Sequence, residues 1–461
     1  MRSAWLMAFL FACGKGGDGK VANSGDSADS DTTSIDSGQE GPTWRDVAPI
    51  FEARCTTCHQ DEGIGTFGMK TYAGTIPWAD AIQEHVIART MPPWLVTDDG
   101  TCQEFADSQT LSDEEIQTIS DWVDAGTPEG ADGADLTPAP LRQLDRRDAT
   151  FQTPVFVPES EGSLYAMTDE YRCFAWENPT DEDVFISGFE VVPGNGAIVR
   201  HVLGLPVDPL AANRSGSSTN AQEMVSMEGA DGRVGWDCLV GAGGQVVERT
   251  IAVTWAPGQG GVAFPEGIGV RLEAGDVMVI QVHYDLSDPQ NVGASDSTEV
   301  HLKFEDQVDA EALISLPDPF LESIYDFPDN ASLPPGEEAT SFTWELSMTE
   351  LLIRARLSDL AGVESVTVHG VAPHMKALGT EMELTFIRDV GADECGAEVL
   401  AWDLNWQLVY FYETPVTLTM DDRVKVTCTW DTSDQDDETL PGWSTSDEMC
   451  LMAMVLTTES I

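Results

Sequence analysis

From residue 151 to the end, short runs rich in Val, Ile, Phe and Thr recur at close intervals, broken by Gly, Pro and Asp. Among them are "DVFISGFEVV", "AIVRHVLGLPV", "DVMVIQVHYDL", "EVHLKFED", "ELTFIRDV", "PVTLTM", "RVKVTCTW" and "CLMAMVLTT". Regular short strands separated by turn residues specify antiparallel β-sandwiches. The roughly 310 residues involved are too many for one such core, so two sandwiches are expected, with a join near 308–312.

The stretch before this region reads differently. "CTTCH" (Cys55, Cys58, His59) is Cys-x-x-Cys-His, the attachment pattern of c-type haem. The two thiols add to the haem vinyls, and the adjacent His becomes the proximal iron ligand. A thioredoxin-like pair is the rival, but the immediate His and the missing βαβ pattern count against it. A disulfide or a zinc knuckle is the weaker alternative, since no second Cys pair follows at suitable spacing. Met69, His85 and Met91 are the candidates for the second axial ligand. Met91 is preferred, because "RTMPPW" (89–94) sets it before two prolines that hold an extended loop. Met69 reads as a core residue. "LSDEEIQTISDWVDAGTPEG" (111–130) is a capped amphipathic helix, with Ser112 as N-cap, Glu115 three residues on, and apolar residues at 116, 119, 122 and 123. Residues 43–131 are therefore expected to form a small all-α cytochrome c-like unit, followed by a polar linker over 132–150.

The N-terminus, "MRSAWLMAFLFACGKGG", has one Arg, a short apolar run and then small residues, the pattern of an export signal over 1–12. "LFAC" resembles a bacterial lipobox, with Cys13 as the lipidated residue. The Gly-, Ser- and Asp-rich stretch up to 42 then reads as a flexible tether. An exported protein in the cell envelope, touching the membrane only through its lipid, is expected, in a compartment where disulfides persist. The formal net charge of −57, from 23 basic against 80 acidic residues, excludes nucleic acid and an anionic membrane surface as partners. So acidic a surface supplies solubility, with calcium binding by "DTSDQDDE" (431–438) as the alternative.

Within the β-rich region several local signatures follow one another. They are "YRCFAW" (171–176), "RHVLGL" (200–205), "GWDCLVG" (235–241), "WAPG" (255–258), "FPEGIGVRLEAGD" (264–276) and "QVHYD" (281–285). After these come "PHMKALG" (373–379), "WDLNWQLVYF" (401–411) and "SDEMC" (446–450). In order and wording, residues 151–461 resemble the copper type II, ascorbate-dependent monooxygenases, the family of peptidylglycine α-hydroxylating and dopamine β-monooxygenases. The resemblance implies two jelly-roll-like sandwiches, here 151–308 and 309–461, each holding one copper across a solvent-filled cleft. It implies three His ligands in the first sandwich, and a His-x-His pair plus a Met in the second, where thioether suits Cu(I). It also implies disulfides Cys173–Cys238 and Cys428–Cys450, the latter holding Met449 in place. Cys102 and Cys395 carry no such assignment.

Carried over residue by residue, His283 matches the "QVHY" ligand and His201 the second His of the first sandwich's pair, while Arg200 stands where the first would be. In the second sandwich His374 and Met449 match, and Lys376 replaces the second His. Arg stays protonated and cannot ligate; Lys could do so only as the neutral amine. His301 and His369 are the remaining imidazoles that could substitute, although a lone strand His is more often structural. Leu451 and Ala453 stand where the peptidylglycine enzyme reads its substrate, which argues against peptide amidation. The expected function is an exported haem- and copper-dependent oxidoreductase, hydroxylating C–H bonds with O2 and two electrons. Those electrons would come from a small-molecule reductant or an electron-transfer protein, and His374 and Met449 would sit at the reacting centre. The rival is a non-catalytic haem c lipoprotein, for electron transfer or sensing, with degenerate copper sites.

Overall fold

The structure is a computed structural model describing residues 41–60, 65–130, 135–138, 141–159, 168–239, 241–325, 331–357, 360–444 and 446–460. The expected export signal, Cys13 and the tether as far as residue 40 lie outside the described residues.

Among the described residues, the first part has the α-helices α1 (Trp44–Arg54), α2 (Tyr72–Thr75), α3 (Ala79–Ile87) and α4 (Asp113–Asp124). The start of α4 is set by a reciprocal cap, Ser112 Oγ accepting from the Glu115 amide while the Glu115 carboxylate accepts from the Ser112 amide. Its apolar face places Ile119, Trp122 and Val123 against Trp44, Val47 and Phe51 of α1. Trp44, Phe51 and Trp122 meet ring on ring at 5.8–6.0 Å. Each such buried aromatic contributes about 1.5–3 kcal/mol, enough for a few of them to hold a small helical core.

The first β region has, among the described residues, β1 (Ala149–Gln152), β2 (Asp169–Glu177), β3 (Val184–Val192), β4 (Val199–Val207), β5 (Trp236–Asp237), β6 (Val253–Trp255), β7 (Val262–Ala263), β8 (Ile268–Leu272), β9 (Val277–Asp285), β10 (Glu299–Glu305) and β11 (Ala310–Glu311). One sheet runs β1-β10-β3-β8-β11, with β7 also on β3; the other runs β5-β2-β9-β4-β6. β9 is buried on both faces over nearly its whole length, which is why "VMVIQVHY" is apolar almost throughout rather than alternating.

The second region has β12 (Leu313–Ser315), β13 (Thr340–Ser347), β14 (Val363–His374), β15 (Gly379–Ile387), β16 (Glu394–Val399), β17 (Tyr410–Thr419), β18 (Arg423–Trp430) and β19 (Leu451–Ser460). Its sheets are β12-β19-β14-β17 and β13-β18-β15-β16. The chain changes sandwich within a few residues: β11 pairs with β8 of the first, and β12 with β19 of the second.

Three disulfides are present among the described residues. Cys173–Cys238 and Cys428–Cys450 are those the resemblance implies. The third, Cys102–Cys395, joins the two cysteines left unassigned by sequence. It fastens residues 94–106, expected within the helical unit, to the second sandwich. There Val96 bridges Val399, Phe105 bridges Tyr412, and both enter that sandwich's core. Trp94 packs edge-on against Tyr410 at 4.8 Å, and the Leu95 amide donates to the Tyr410 hydroxyl. The expected linker is also partly structured, since β1 begins at Ala149 and Leu136 is buried with the helices.

Candidate metal centre

The antiparallel register of β4 and β9 sets His201 directly opposite His283, so both imidazoles leave the same face of one sheet. Their Nδ1 atoms are 3.2 Å apart. On the other side of His283, Tyr171 of β2 is its register partner, and the two rings stack at 4.0 Å and 7°. The Tyr171 hydroxyl donates to the Trp443 carbonyl of the second sandwich. Asp169, two residues before Tyr171 and therefore on the same face, brings Oδ1 to 3.5 Å from His283 Nε2. That side of the ring is thus oriented by a carboxylate, and Nδ1 is turned towards His201.

The third imidazole comes from the other sandwich. His374 is the last residue of β14, paired with Leu451 of β19, and its ring meets that of His201 at 5.2 Å and 75°. Its Nδ1 is hydrogen-bonded to Gln407 Oε1. The Gln407 amide is itself fixed, because its Nε2 donates to the Leu404 carbonyl at 2.7 Å. Oε1 can only accept, so His374 carries its proton on Nδ1 and presents a bare Nε2. Burial holds all three imidazoles below their usual range, His374 at about 4. They are therefore neutral, the form in which imidazole binds metals.

The two positions where histidines were expected are occupied by cations with other tasks. Arg200 lies at a register shift between Val199 and His201, and its guanidinium pairs with Asp285 at 2.7 Å. Lys376 donates from Nζ to the carbonyls of Gly442 (2.8 Å) and Ser444, pinning the loop before β19. Burial lowers the Lys376 ammonium to about 8, with Asp447 and Glu448 opposing the shift. Glu448 accepts from the amides of Lys376 and Leu378 and from the Trp430 indole, which fixes the same loop from behind. Neither cation adds a donor to the histidines.

Met449 is buried, two residues before the Leu451 that faces His374. His301 bonds Thr150 Oγ1 and approaches Glu299, and His369 bonds Thr457 Oγ1. His301 is on β10, in the opposite sheet of the first sandwich, and His369 is five residues back along β14, roughly 16 Å by strand rise. Both therefore belong to sheet faces rather than to the cluster. Across the contact between the two sandwiches, His374 lies against His201. The sandwiches also touch through Phe264 on Phe411 and through Arg356 with Glu248.

In the helical part, Cys55 caps α1, and the amides of Cys58 and His59 return to the Cys55 carbonyl. Neither thiol is in a disulfide, and burial raises Cys55 to about 12. His59 Nδ1 donates to the Phe67 carbonyl at 3.1 Å, which leaves Nε2 free of a proton. Its ring lies on Phe67, which stacks in turn on Trp78. Met69 is fully buried in the helical core, while Met91 is half-buried on the loop after α3.

Among the described residues, no group of three or more His, Cys, Asp or Glu has its donors already gathered about one point. The histidine cluster offers two nitrogens in contact and a third ring alongside. Residues 322–456 match the family described as "Copper type II ascorbate-dependent monooxygenase, C-terminal domain". That segment contains His374, Lys376, Gln407 and Met449. No curated protein matches the chain. Likenesses among solved structures include the infectious bursal disease virus VP2 subviral particle, at TM-score 0.16 and 9% identity over 68% of this chain and 72% of that one. Another is the Macrobrachium rosenbergii nodavirus, at 0.15 and 11% over 72% and 97%. A third is the CBM22-1-CBM22-2 tandem of Paenibacillus barcinonensis Xyn10C, at 0.16 and 12% over 62% and 83%. TM-scores this low carry no statement about fold or function.

Proposed function

We propose that the chain is an exported haem- and copper-dependent oxidoreductase of the monooxygenase kind, using O2 and two electrons to hydroxylate a C–H bond. The observation behind the copper half is the convergence of His201, His283 and His374, in a chain whose residues 322–456 match the copper monooxygenase C-terminal domain. Bound copper would supply one-electron redox chemistry towards O2. The protein's own part is to present imidazoles that are neutral, pre-oriented and out of bulk water. Asp169 orients His283, Gln407 orients His374, and the Lys376–Glu448 contacts hold the loop that carries Met449, whose thioether suits the reduced metal.

The haem half of the proposal draws on Cys55 and Cys58 as free thiols beside His59, whose Nδ1 bond to a carbonyl is the usual support of a metal-ligating imidazole. Met91 is the proposed second axial ligand. The Cys102–Cys395 disulfide and the Trp94–Tyr410 contact favour electron entry on the second sandwich's side. Three disulfides fit an oxidising compartment, and no described helix is long and apolar enough to cross a membrane. A lipid on Cys13 and a small reductant or redox protein as donor complete the proposal.

The test is haem and copper stoichiometry on purified, copper-reconstituted protein, with O2 uptake in ascorbate. Haem with bound copper and ascorbate-dependent O2 consumption is the expected result. Intact haem with less than half an equivalent of copper would overturn the copper half. One observation favours a second reading, a haem lipoprotein for electron transfer or sensing: Arg200 and Lys376 hold structural bonds where ligands were expected. Haem that cycles with a donor but drives no O2 uptake would select it.

A further inference from the structure

We propose that the half-buried Cys102–Cys395 bond is a thiol–disulfide exchange site, a releasable clasp between the helical unit and the second sandwich, opened by a dithiol on a positively charged carrier protein. The site needs neither haem nor copper. The connection between α3 and α4 spans residues 88–112, well beyond the roughly 12–15 residues usual for a loop without structure of its own. It does not stay with the helices. The Thr97 amide donates to the Glu398 carbonyl of β16, the outermost strand of one sheet. The Ala106 amide donates to the Phe411 carbonyl of β17, the outermost strand of the other, and the Glu413 amide donates back to the Glu104 carbonyl. The loop is thus a strap across the second sandwich, from one sheet edge to the other, covering edges that would otherwise invite a foreign strand.

Apart from the disulfide, the strap is held by modest contacts. Val96 and Phe105 are buried in the core of the sandwich, and Trp94 and Leu95 meet Tyr410. Gln103 Nε2 donates to Glu394 Oε1 and to the Cys395 carbonyl, and Thr97 Oγ1 donates to Glu398 Oε2. A segment held by so few buried side chains and bonds opens locally before the domain beneath it unfolds. A covalent bond between residues 293 apart suppresses that opening, so breaking it frees the strap more than the sandwich.

Access separates this bond from the other two. Cys173, Cys238, Cys428 and Cys450 are at most 1% exposed, whereas Cys102 and Cys395 are half-buried, Cys395 on the outermost strand β16. A thiolate must reach a sulfur for exchange to occur, so exposed disulfides are the labile ones. The approach is negatively charged. Asp98, Asp99, Glu104 and Glu413 line a cavity of about 500 Å³, and Cys102 lies in the loop between Asp99 and Glu104. Among the described residues none of these four carboxylates forms an ion pair. Arg89, close enough to act on Asp99, is paired with Asp113; Arg142 is paired with Asp107, and Arg388 with Glu394 and Asp422. An anionic thiol is repelled there and a cationic one is concentrated. In the exchange, one thiolate of the dithiol attacks a sulfur of the bond, giving a mixed disulfide and a cysteine thiolate that takes up a proton. The second thiol of the reductant then loses its proton and displaces the other cysteine. Two electrons pass: Cys102 and Cys395 end as thiols, and the dithiol ends as a disulfide.

The deciding experiment treats the folded, full-length protein briefly with cysteamine, dithiothreitol or mercaptoethanesulfonate, quenches by alkylation and maps the labelled cysteines by mass spectrometry. Cys102 and Cys395 should be labelled together, about tenfold or more faster than the cysteines of the other two bonds. Per thiolate, cysteamine should react about tenfold faster than mercaptoethanesulfonate in low salt, and the gap should close near about 0.5 M salt. Glu104→Gln combined with Glu413→Gln should narrow that gap while leaving the rate with neutral dithiothreitol unchanged. In the reduced protein the amides of Thr97 and Ala106 should exchange with deuterium about tenfold faster, while those of β14 keep their protection. Reduction of Cys102–Cys395 no faster than that of the other bonds would overturn the exchange site. Equal rates with cationic and anionic thiols would overturn the charged partner. Unchanged amide exchange along the strap would overturn the clasp, and so would a general loss of circular dichroism on reduction, since the strap alone should open.

Discussion

Arg200 and Lys376 occupy equivalent roles in the two sandwiches, each a cation where the resemblance implies a histidine, yet their surroundings differ. Arg200 sits at a register shift near the start of β4, 41% exposed, and pairs with one carboxylate. Lys376 is enclosed at the end of β14 and satisfies two backbone carbonyls of the loop that leads to Met449. The first replacement costs the fold little and leaves the His201–His283 pair untouched. The second has become part of the architecture. The two cations are therefore held differently: the first sandwich keeps the His201–His283 contact beside a surface ion pair, and the second has His374 at the end of β14 beside a loop pinned by an ammonium.

The strongest way to break this contrast is Lys376→Met, which strands the carbonyls of Gly442 and Ser444. It should cost about 2–4 kcal/mol in denaturant unfolding, since a buried acceptor left without its charged donor is expensive. Lys376→His should also destabilise, because the shorter imidazole cannot replace both bonds that Nζ makes to the Gly442 and Ser444 carbonyls. A Lys376→Met variant as stable as wild type would remove the distinction between the two positions.

Next in size is the Cys428→Ser, Cys450→Ser double variant, which releases the strand end bearing Met449. The bond closes a span of 22 residues, so roughly 3 kcal/mol should be lost. The first sandwich's His201–His283 pair should keep its geometry, which histidine ring signals in magnetic resonance would report.

Asp318 gives a pH-dependent comparison of similar size. It is 3% exposed, and burial raises its carboxyl to about 7, against the donating amides of Leu321 and Cys450. A carboxyl raised on folding favours the fold while protonated. That contribution is complete below the unfolded value of 3.8 and is lost as pH rises through 7. Asp318→Asn should match wild type near pH 4 and exceed it by roughly 2–4 kcal/mol at pH 8, at about 1.4 kcal/mol per pH unit. Thermal melts across that range read the difference, and a constant offset would refute the assignment.

The smallest effect is expected for Arg200→Ala. A half-exposed ion pair is worth about 1 kcal/mol or less. Copper binding by the His201–His283 side should change by no more than a few-fold, and a large loss would mean that Arg200 supports the site directly.

Much of the secondary structure is legible in local sequence. The Ser112–Glu115 box starts a helix where its chemistry requires one, and the β-branched runs become strands because a half-buried pleated surface favours them. Cys102–Cys395 was not legible, because its partners are 293 residues apart and no local pattern relates them. The role of Arg200 was hidden for a related reason. A single-residue register shift decides which side chain of "RHVLG" faces the cluster, and registers are set by pairing with a distant strand.

The sequence alone determined which candidate residues exist: three imidazoles, a thioether, a Cys-x-x-Cys-His, and two cations at positions where the resemblance implies histidines. These are matters of side-chain chemistry and local order. Only the tertiary structure decided that His374 meets His201, that Gln407 fixes which nitrogen it presents, and that Lys376 is engaged elsewhere. Those outcomes depend on how two sandwiches pack, and packing is settled by contacts between segments remote in sequence, which no short stretch of residues encodes.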